Sequence, residues 1–489
     1  MPQNTSLLPV AFYTLGCKLN QIESESLAAA FAKSGFPVLA GAKTVGEKPF
    51  LAIVNTCTVT SKSDQKARGI IRRLLRENPG CCIMVTGCYA FLDPDEIRNL
   101  ENPDNIDNKN TDNENIDDAD IDAVSGFRRL FVQPQNGQGA GSAKSALLDL
   151  PEYLAAALAH GQSLSQALGL WTATPGTANA KDPFGFNPED FSFHSRGYLK
   201  VQDGCDNACT YCRVRLARGP SVSLSPQSCL ERLLSLEKAG YAELMLNGVN
   251  LGQYRHSGLD LAGLIGFLLE GSSTIALRLS SINPESVTES LAAVLAHKRI
   301  RPHFHLSVQS GSDKVLGRMG RAYRSSGAAK AAALLRSAKE NPFLACDIIA
   351  GFPGETEDDF EKTLDLCRET GFAWIHAFPY SKRPGTQALS LDGGVSEGEA
   401  KRRVAVLSEF AVNGRRQYAR SWIGKPVCAV VEKTETCEGK CRALSENYLK
   451  LTVNCKGNPP KPGSAITCIP KSLYSDDNAE NPDALADMV

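Results

Sequence analysis

Residues 197–212 read GYLKVQDGCDNACTYC, and the fold turns on this stretch. Gly197–Gln202 is a short run that reads as a strand. Three cysteines follow it within eight residues: Cys205, Cys209 and Cys212. A structural zinc site takes four ligands, usually as two pairs. Here no fourth Cys or His follows closely, so the triad suits an iron–sulfur cluster with one iron left open.

Further strand candidates follow this one: Ala242–Leu246, Ile275–Ser280, His303–Val308, Phe343–Ile349 and Phe372–Phe378. Helical patterns such as Pro226–Ala239 and Asp358–Glu369 separate them. Six strand–helix units in a row predict an open, partial barrel of parallel strands. The cysteine loop tops the first strand, on the side where barrel enzymes do chemistry. An open iron there could chelate the amine and carboxylate of S-adenosylmethionine. Asn247, Gly248 and Asn250 close the second strand and suit the methionine end of that molecule, with Gly248 allowing close backbone approach. Ser280 and Ser281, and Gln309 and Ser310, end the third and fourth strands near the expected ribose. Ile349 through Pro353, including Gly351, could pack on adenine. His303 and His305 share one strand face and read as core or rim residues. Arg318, Arg321 and Arg324 read equally as surface or as phosphate contacts.

Towards the N-terminus, Val10–Leu15, Phe50–Asn55 and Cys82–Thr86 read as strands, with helical patterns at Gln21–Ser34 and Lys62–Glu77. Such alternation predicts an open parallel sheet. Cys17, Cys57 and Cys88 each come just after a strand, in YTLGC, IVNTC and MVTGC. Strand carboxyl ends share one rim, so the three thiols are expected to converge on a soft-metal or iron–sulfur site. Cys81 and Cys82 stand at the opposite end of their strand and read as structural. Glu101–Asp122 holds nine acids, six Asn and one Lys, and reads as a disordered insertion. Gly137–Ser142 reads as loop.

Towards the C-terminus, Val427–Val431, Tyr448–Val453 and Ala465–Ile469 predict a small β-barrel. Arg420–Lys471 carries nine basic residues against four acids, and with Tyr448 on a strand this suits an RNA backbone. The zinc alternative for Cys437, Cys441, Cys455 and Cys468 lacks paired spacing. The tail Asp476–Val489 holds five acids and no base. Removing it and the insertion from the overall charge of −1 leaves about +12 on the body, compatible with a polyanionic partner. No apolar run is long enough to cross a membrane, and no signal peptide is evident. Sixteen cysteines without an export signal fit a reducing cytoplasm.

At the CxxxCxxC loop the sequence resembles the radical S-adenosylmethionine superfamily, and across nearly the whole chain it resembles the methylthiotransferases. The motifs that carry this are YTLGCKLNQIESE, VNTCTVTSKSDQKAR, VTGCYA, LNGVNLGQY, LSSINP, HLSVQSGSDKVLGRM, DIIAGFPGETEDDF and FPYSKRPGT. The resemblance implies an α/β chain in three parts: an N-terminal methylthiotransferase domain at 1–170 with the insertion at 101–122, a central partial (β/α)6 radical-SAM barrel at 190–422, and a TRAM RNA-binding β-barrel at 423–475 before an acidic tail at 476–489. It implies two [4Fe–4S] clusters, one on Cys205, Cys209 and Cys212 and one on Cys17, Cys57 and Cys88. The first passes an electron to S-adenosyl-L-methionine to give a deoxyadenosyl radical. The second carries the sulfur that a further S-adenosylmethionine methylates. TLGCKLNQ and KSDQKAR look most like the branch acting on threonylcarbamoyladenosine beside the anticodon of tRNA, which implies the anticodon stem-loop as partner and a flavodoxin or ferredoxin as electron donor. Other readings are an isopentenyladenosine or ribosomal-protein target, or a non-catalytic iron–sulfur RNA-binding protein. RVRLARGPS departs from the family: Arg213 and Arg215 stand at usually apolar positions, and Pro220 where Arg is common. On this reading the C-terminal block grips RNA, and a chain ending at Trp422 would still cleave S-adenosylmethionine.

Overall fold

Strands β1 (Val10–Thr14), β2 (Val38–Ala40), β3 (Leu51–Thr56), β4 (Cys82–Gly87) and β5 (Leu130–Val132) form one parallel sheet in the order β2-β1-β3-β4-β5. β3 and β4 lie in the middle and are buried throughout, which is why they read as continuous apolar runs rather than alternating ones. α1 (Lys18–Lys33) and α2 (Ser61–Glu77) follow β1 and β3. Thr60 caps α2 by accepting from the Ser63 amide. β2 and β5 are three residues each and carry too little pattern to be read from sequence. The computed structural model describes residues 8–41, 49–102, 128–134, 139–173, 182–433, 439–455, 457–474 and 482–489. Most of the acidic insertion and Cys437 lie outside these residues. Ala140–Ser145 is a buried helix, not loop; its Ala, Gly and Ser residues gave no apolar period.

The chain divides into two units. One comprises residues 1–188 together with 213–219; the other comprises 189–212 and 220–489. The seven residues after Cys212 thus belong with the N-terminal sheet.

The second unit contains β6 (Gly197–Lys200), a short antiparallel pair β7 (Gln202–Asp203) and β8 (Val222–Ser223), then β9 (Glu243–Asn247), β10 (Ala276–Leu279), β11 (His303–Gln309), β12 (Phe343–Ala350) and β13 (Trp374–Pro379). β6-β9-β10 and β11-β12-β13 are parallel three-stranded sheets. Parallel bridges Leu277–Ile300 and Ile282–Leu306 join their edges. The result is six strands in chain order, the partial barrel expected from sequence. Gly197 and Leu244 face the flanking helix: a Cβ on Gly197 would lie 3.3 Å from Leu236 of Pro226–Lys238. By the two-residue period of strands, Glu243, Met245 and Asn247 therefore face inward.

A closed five-stranded barrel follows, β14 (Val427–Val431), β15 (Lys440–Ser445), β16 (Lys450–Asn454), β17 (Ala465–Leu473) and β18 (Ala484–Met488), in the order β14-β15-β16-β18-β17. This corrects the acidic tail. Ala484 and Ala486 are buried at period two, and β18 pairs with both β16 and β17; the surrounding carboxylates masked that alternation. Tyr448 is also corrected: it sits in the turn before β16 with φ +68°. Its ring stacks on His303 at 3.9 Å, under the Arg278 guanidinium at 5.3 Å. Tyr448 therefore docks the small barrel onto the larger one.

A buried ion cluster surrounds this junction. Glu243 takes two bonds from Arg278, at 2.6 and 3.0 Å, and one from Arg301 at 3.0 Å. Arg278 also donates to the Ser445 carbonyl, and Arg301 pairs with Glu446. Burial pushes the Glu243 carboxyl up, but Arg278, then Arg196 and Arg301, outweigh it and hold it at about 2. No helix among the described residues is long and apolar enough to cross a membrane.

Candidate active site

The loop carrying Cys205, Cys209 and Cys212 is fixed by backbone bonds within its unit. Thr210 N–H donates to the Met319 carbonyl, and the Ala388 amide donates to the Thr210 carbonyl. A Cβ on Gly320, at φ +69°, would stand 2.9 Å from the Ala208 carbonyl, so glycine is required there for the close approach. Gln202 is buried at the base of the loop, donating to the Gly204 carbonyl and accepting from the Asn250 amide. Asn250 Nδ2 reaches Cys205 Sγ at 3.8 Å, and Arg321 Nη1 reaches Cys209 Sγ at 3.3 Å. Burial pushes the Cys205 thiol up, with the Asn207 amide and Asn250 opposing it, and donors aimed at sulfur are contacts of the kind that orient cluster ligands.

Three buried acceptors at neighbouring strand ends have no protein partner: Asn247 Oδ1, Asn250 Oδ1 and Ser280 Oγ. Buried polar atoms are normally bonded. A bound molecule bearing an ammonium and ribose hydroxyls would satisfy them, so the residues present fit S-adenosylmethionine beside a three-thiol cluster. Ser281 follows at half-burial. Gln309 ends β11 with φ +65° after a register shift, a strain typical of functional strand ends. Ile349 is paired in register with Phe378. Two of the predicted glycines have packing reasons. A Cβ on Gly248 would lie 2.7 Å from Gln202 Oε1, and one on Gly351 would lie 2.5 Å from the Ala400 Cβ.

The barrel's inner face also carries a titratable row. His305 Nε2 lies 2.9 Å from Asp347 Oδ1. His305 and His376 stack at 5.1 Å, and Trp374 Nε1 donates to His376 Nδ1. Burial, then His305, lowers His376 to about 4; burial, then Arg278, lowers His303 well below its usual range. Both stay neutral in the folded barrel, whereas the unfolded chain takes up protons near pH 6.5. Stability should therefore fall as pH drops from about 6.5 towards 4, by up to about 3 kcal/mol from His376. Urea midpoints at pH 7.5 and pH 5 measure this. Equal midpoints would contradict it, and His376→Phe should flatten the slope.

In the N-terminal unit, Cys17 is the N-cap of α1, Cys57 follows β3, and Cys88 opens the short helix α3 (Cys88–Leu92). A Cβ on Gly16 would meet Cys57 Sγ at 2.6 Å, and one on Gly87, at φ +107°, would meet the Thr56 carbonyl at 2.1 Å. The loops therefore pack against one another at one rim. Burial, then Cys17 and Cys88, pushes the Cys57 thiol up to about 12. Among the described residues no three His, Cys, Asp or Glu stand ready for a single metal ion. Gly87→Ala should cost about 2–4 kcal/mol from strain and overpacking. Gly80→Ala, where nothing lies within 4 Å, should cost far less. Chemical denaturation compares the two, and equal effects would contradict the packing of these loops.

Sequence reading missed several of these groups. Arg321 read equally as surface or as a phosphate contact, yet it bonds Cys209, Asn283 and Ser307. Arg318 is held by the Pro353 carbonyl and Asp392; of that trio only Arg324 is largely exposed. Arg213 pairs bidentately with Asp93 at 2.7 and 3.0 Å, which explains a charge at a usually apolar position. Cys81 and Cys82 are buried, as expected. Cys441 and Cys455 are buried 3.4 Å apart within the small barrel.

Residues 199–367 match the Radical SAM superfamily, and residues 9–106 match Uncharacterized protein family UPF0004. A threonylcarbamoyladenosine tRNA methylthiotransferase of Treponema pallidum is 41% identical over 92% of this chain and 95% of its own length. That of Thermotoga maritima is 34% identical over 90% of each chain. A tRNA-2-methylthio-N(6)-dimethylallyladenosine synthase of Solibacter usitatus is 30% identical over 91% of this chain and 95% of its own. Superfamily membership carries S-adenosylmethionine and a [4Fe–4S] cluster with it. With two motif regions in the right order and relatives matched over almost their full length, the chain belongs to the radical S-adenosylmethionine methylthiotransferase family.

Proposed function

We propose that this protein adds a methylthio group to carbon 2 of N6-threonylcarbamoyladenosine at position 37 of tRNA, beside the anticodon. The observation that supports this is that two threonylcarbamoyladenosine enzymes match at 41% and 34% over at least nine-tenths of the chain, against 30% for a dimethylallyladenosine enzyme, although other threonylcarbamoyladenosine enzymes match at 27–31%. Cys205, Cys209 and Cys212 hold one [4Fe–4S] cluster, and Cys17, Cys57 and Cys88 hold a second. An unactivated aromatic C–H offers no acid–base route, so the bound cofactors supply the radical chemistry. The chain's residues bind and orient. Asn247, Asn250 and Ser280 accept from the ammonium and ribose of S-adenosylmethionine. Gly248, Ser281 and Gln309 shape the adjoining wall, and Ile349 and Gly351 form the adenine side. Arg321 steadies the Cys209 thiolate. Exposed Lys425, Lys440, Lys461 and Lys471 on the small barrel and its approach attract the anticodon stem-loop. A flavodoxin or ferredoxin supplies electrons in the cytoplasm.

The triads divide the labour. Changing Cys17, Cys57 and Cys88 to Ala should leave reductive cleavage of S-adenosylmethionine intact while no sulfur reaches RNA. Deoxyadenosine and methylthio-nucleoside are quantified in the same reaction, and methylthio product from this variant would remove the second cluster from the account. The branch is tested with stem-loops carrying threonylcarbamoyl- or isopentenyl-adenosine. Turnover of the second alone would reassign the substrate.

A further inference from the structure

Behind the three cysteine loops of the N-terminal unit lies a polar group that no part of the reaction yet uses. Asn20, Glu23 and Lys144 are 0% exposed, and Arg218 is 5% exposed. Asn20 Nδ2 donates to the Leu15 carbonyl at 2.7 Å and to the Thr56 carbonyl at 3.0 Å. Those carbonyls lie two residues before Cys17 and one before Cys57. Asn20 Oδ1 accepts from Lys144 Nζ at 3.0 Å and from Arg218 Nη2 at 3.1 Å. Glu23 holds both cations in place, at 2.5 Å from Lys144 and 2.9 and 3.1 Å from Arg218. Thr56 continues the chain of contacts: its hydroxyl donates to the Thr86 carbonyl at 2.6 Å and accepts from the Ala90 amide at 3.1 Å, on either side of Cys88.

We infer that Asn20 is a positioning residue for the Cys17–Cys57–Cys88 site, its amide locked by Lys144, Arg218 and Glu23 so that one side chain sets the spacing of two thiol loops and, through Thr56, the third. The inference deepens the proposed second cluster site and rests on that reading. The amide's orientation is determined by its partners: two cationic donors can only face oxygen, so the nitrogen must face the two carbonyls. A buried amide with every bond made and two of them charge-assisted resists rotation. Ligand-orienting groups of this kind typically change metal affinity by about 10- to 100-fold. Arg218 comes from the seven-residue segment that directly follows Cys212, which gives that segment a task in the N-terminal unit.

Asn20→Asp is the sharp variant. It keeps oxygens for Lys144 and Arg218, so the buried cations stay paired, but it loses the N–H donors that tie the loops. Full-length protein is used with Cys205, Cys209 and Cys212 changed to Ala, and the metal that is lost on further changing Cys17, Cys57 and Cys88 to Ala is the portion that reports on the N-terminal site. Two readouts are taken: iron after anaerobic reconstitution, and Cd2+ affinity of the apo protein from thiolate charge-transfer absorption. Circular dichroism confirms the fold. Asn20→Asp should weaken Cd2+ by about tenfold or more and lower bound iron, with an unchanged spectrum. Lys144→Gln, which keeps a neutral donor but loses the charge that locks the amide, should give a smaller loss in the same direction. Parental Cd2+ affinity and iron in folded Asn20→Asp would overturn the inference, as would loss of metal only in proportion to lost fold in both variants. A parent that binds Cd2+ in an Asn20-dependent way but takes no iron would keep the positioning role and remove the second cluster.

Discussion

Changing Cys205, Cys209 and Cys212 to Ala should abolish deoxyadenosine formation while the protein stays folded. The three thiols are only partly buried and lie in a loop held by backbone bonds from Thr210 and by Gln202, so their loss creates no large cavity. The variant should keep about half the iron of the reconstituted parent, because two clusters of equal size are assigned to separate cysteine sets. A single Cys205→Ser change should already lose cleavage, since an incomplete ligand set leaves no defined open iron. Iron quantitation and product chromatography check both statements. Full iron content in the triple variant would show that these thiols are not the ligands.

The second large effect is expected at Glu243. This carboxylate is 1% exposed and faces Arg278 and Arg301 at hydrogen-bond distance, with Arg196 at 3.7 Å. Removing one partner of a buried charge cluster costs about 3–5 kcal/mol, because the remaining charges stay buried without compensation. Against a typical total of about 5–15 kcal/mol this is severe. Glu243→Gln should therefore lower the urea midpoint strongly, whereas Glu361→Gln, paired with Arg368 in the open, should change it by less than about 1 kcal/mol. Equal midpoints would contradict the view that this cluster holds the two barrels together. The same contacts revise the expectation for a chain ending at Trp422. It would lose Ser445, Glu446 and Tyr448 from the floor of the large barrel, and Asp483, which pairs with Arg415. Such a chain should lose iron and S-adenosylmethionine cleavage along with RNA binding.

Much of the architecture was legible because each strand–loop unit carries its own local signal. The six barrel strands were apolar runs bounded by helical patterns, and the observed β6, β9, β10, β11, β12 and β13 fall on them within about two residues. The positions of six cysteines were legible too: Cys17, Cys57 and Cys88 follow β1, β3 and β4, and Cys205, Cys209 and Cys212 share the loop after β7, as their spacing and place after apolar runs suggested. What remained hidden depends on long-range pairing. Lys144 was not singled out, since nothing local links it to Glu23, 121 positions away. Arg218 lies 195 positions from Glu23, its ion partner. Arg321 read equally as surface or as a phosphate contact, and Arg278 was not singled out within its strand, because burial of an arginine is decided by partners elsewhere in the chain. β18 was hidden by composition: Ala484, Leu485, Ala486 and Met488 share a short strand with Asp487, at the end of a tail whose carboxylates dominate its character. Tyr448 was read as an RNA platform because an aromatic in a basic β-rich segment carries no sign of the His303 ring that covers it.

The central claim is that this chain methylthiolates an anticodon-loop adenosine. It is tested most directly by mass spectrometry of nucleosides from threonylcarbamoyladenosine-containing tRNA, incubated anaerobically with reconstituted protein, S-adenosylmethionine and reductant. The account predicts a new nucleoside in which a methylthio group replaces the hydrogen on carbon 2, dependent on all six cluster cysteines. Deoxyadenosine accumulating with the tRNA nucleosides unchanged would contradict it.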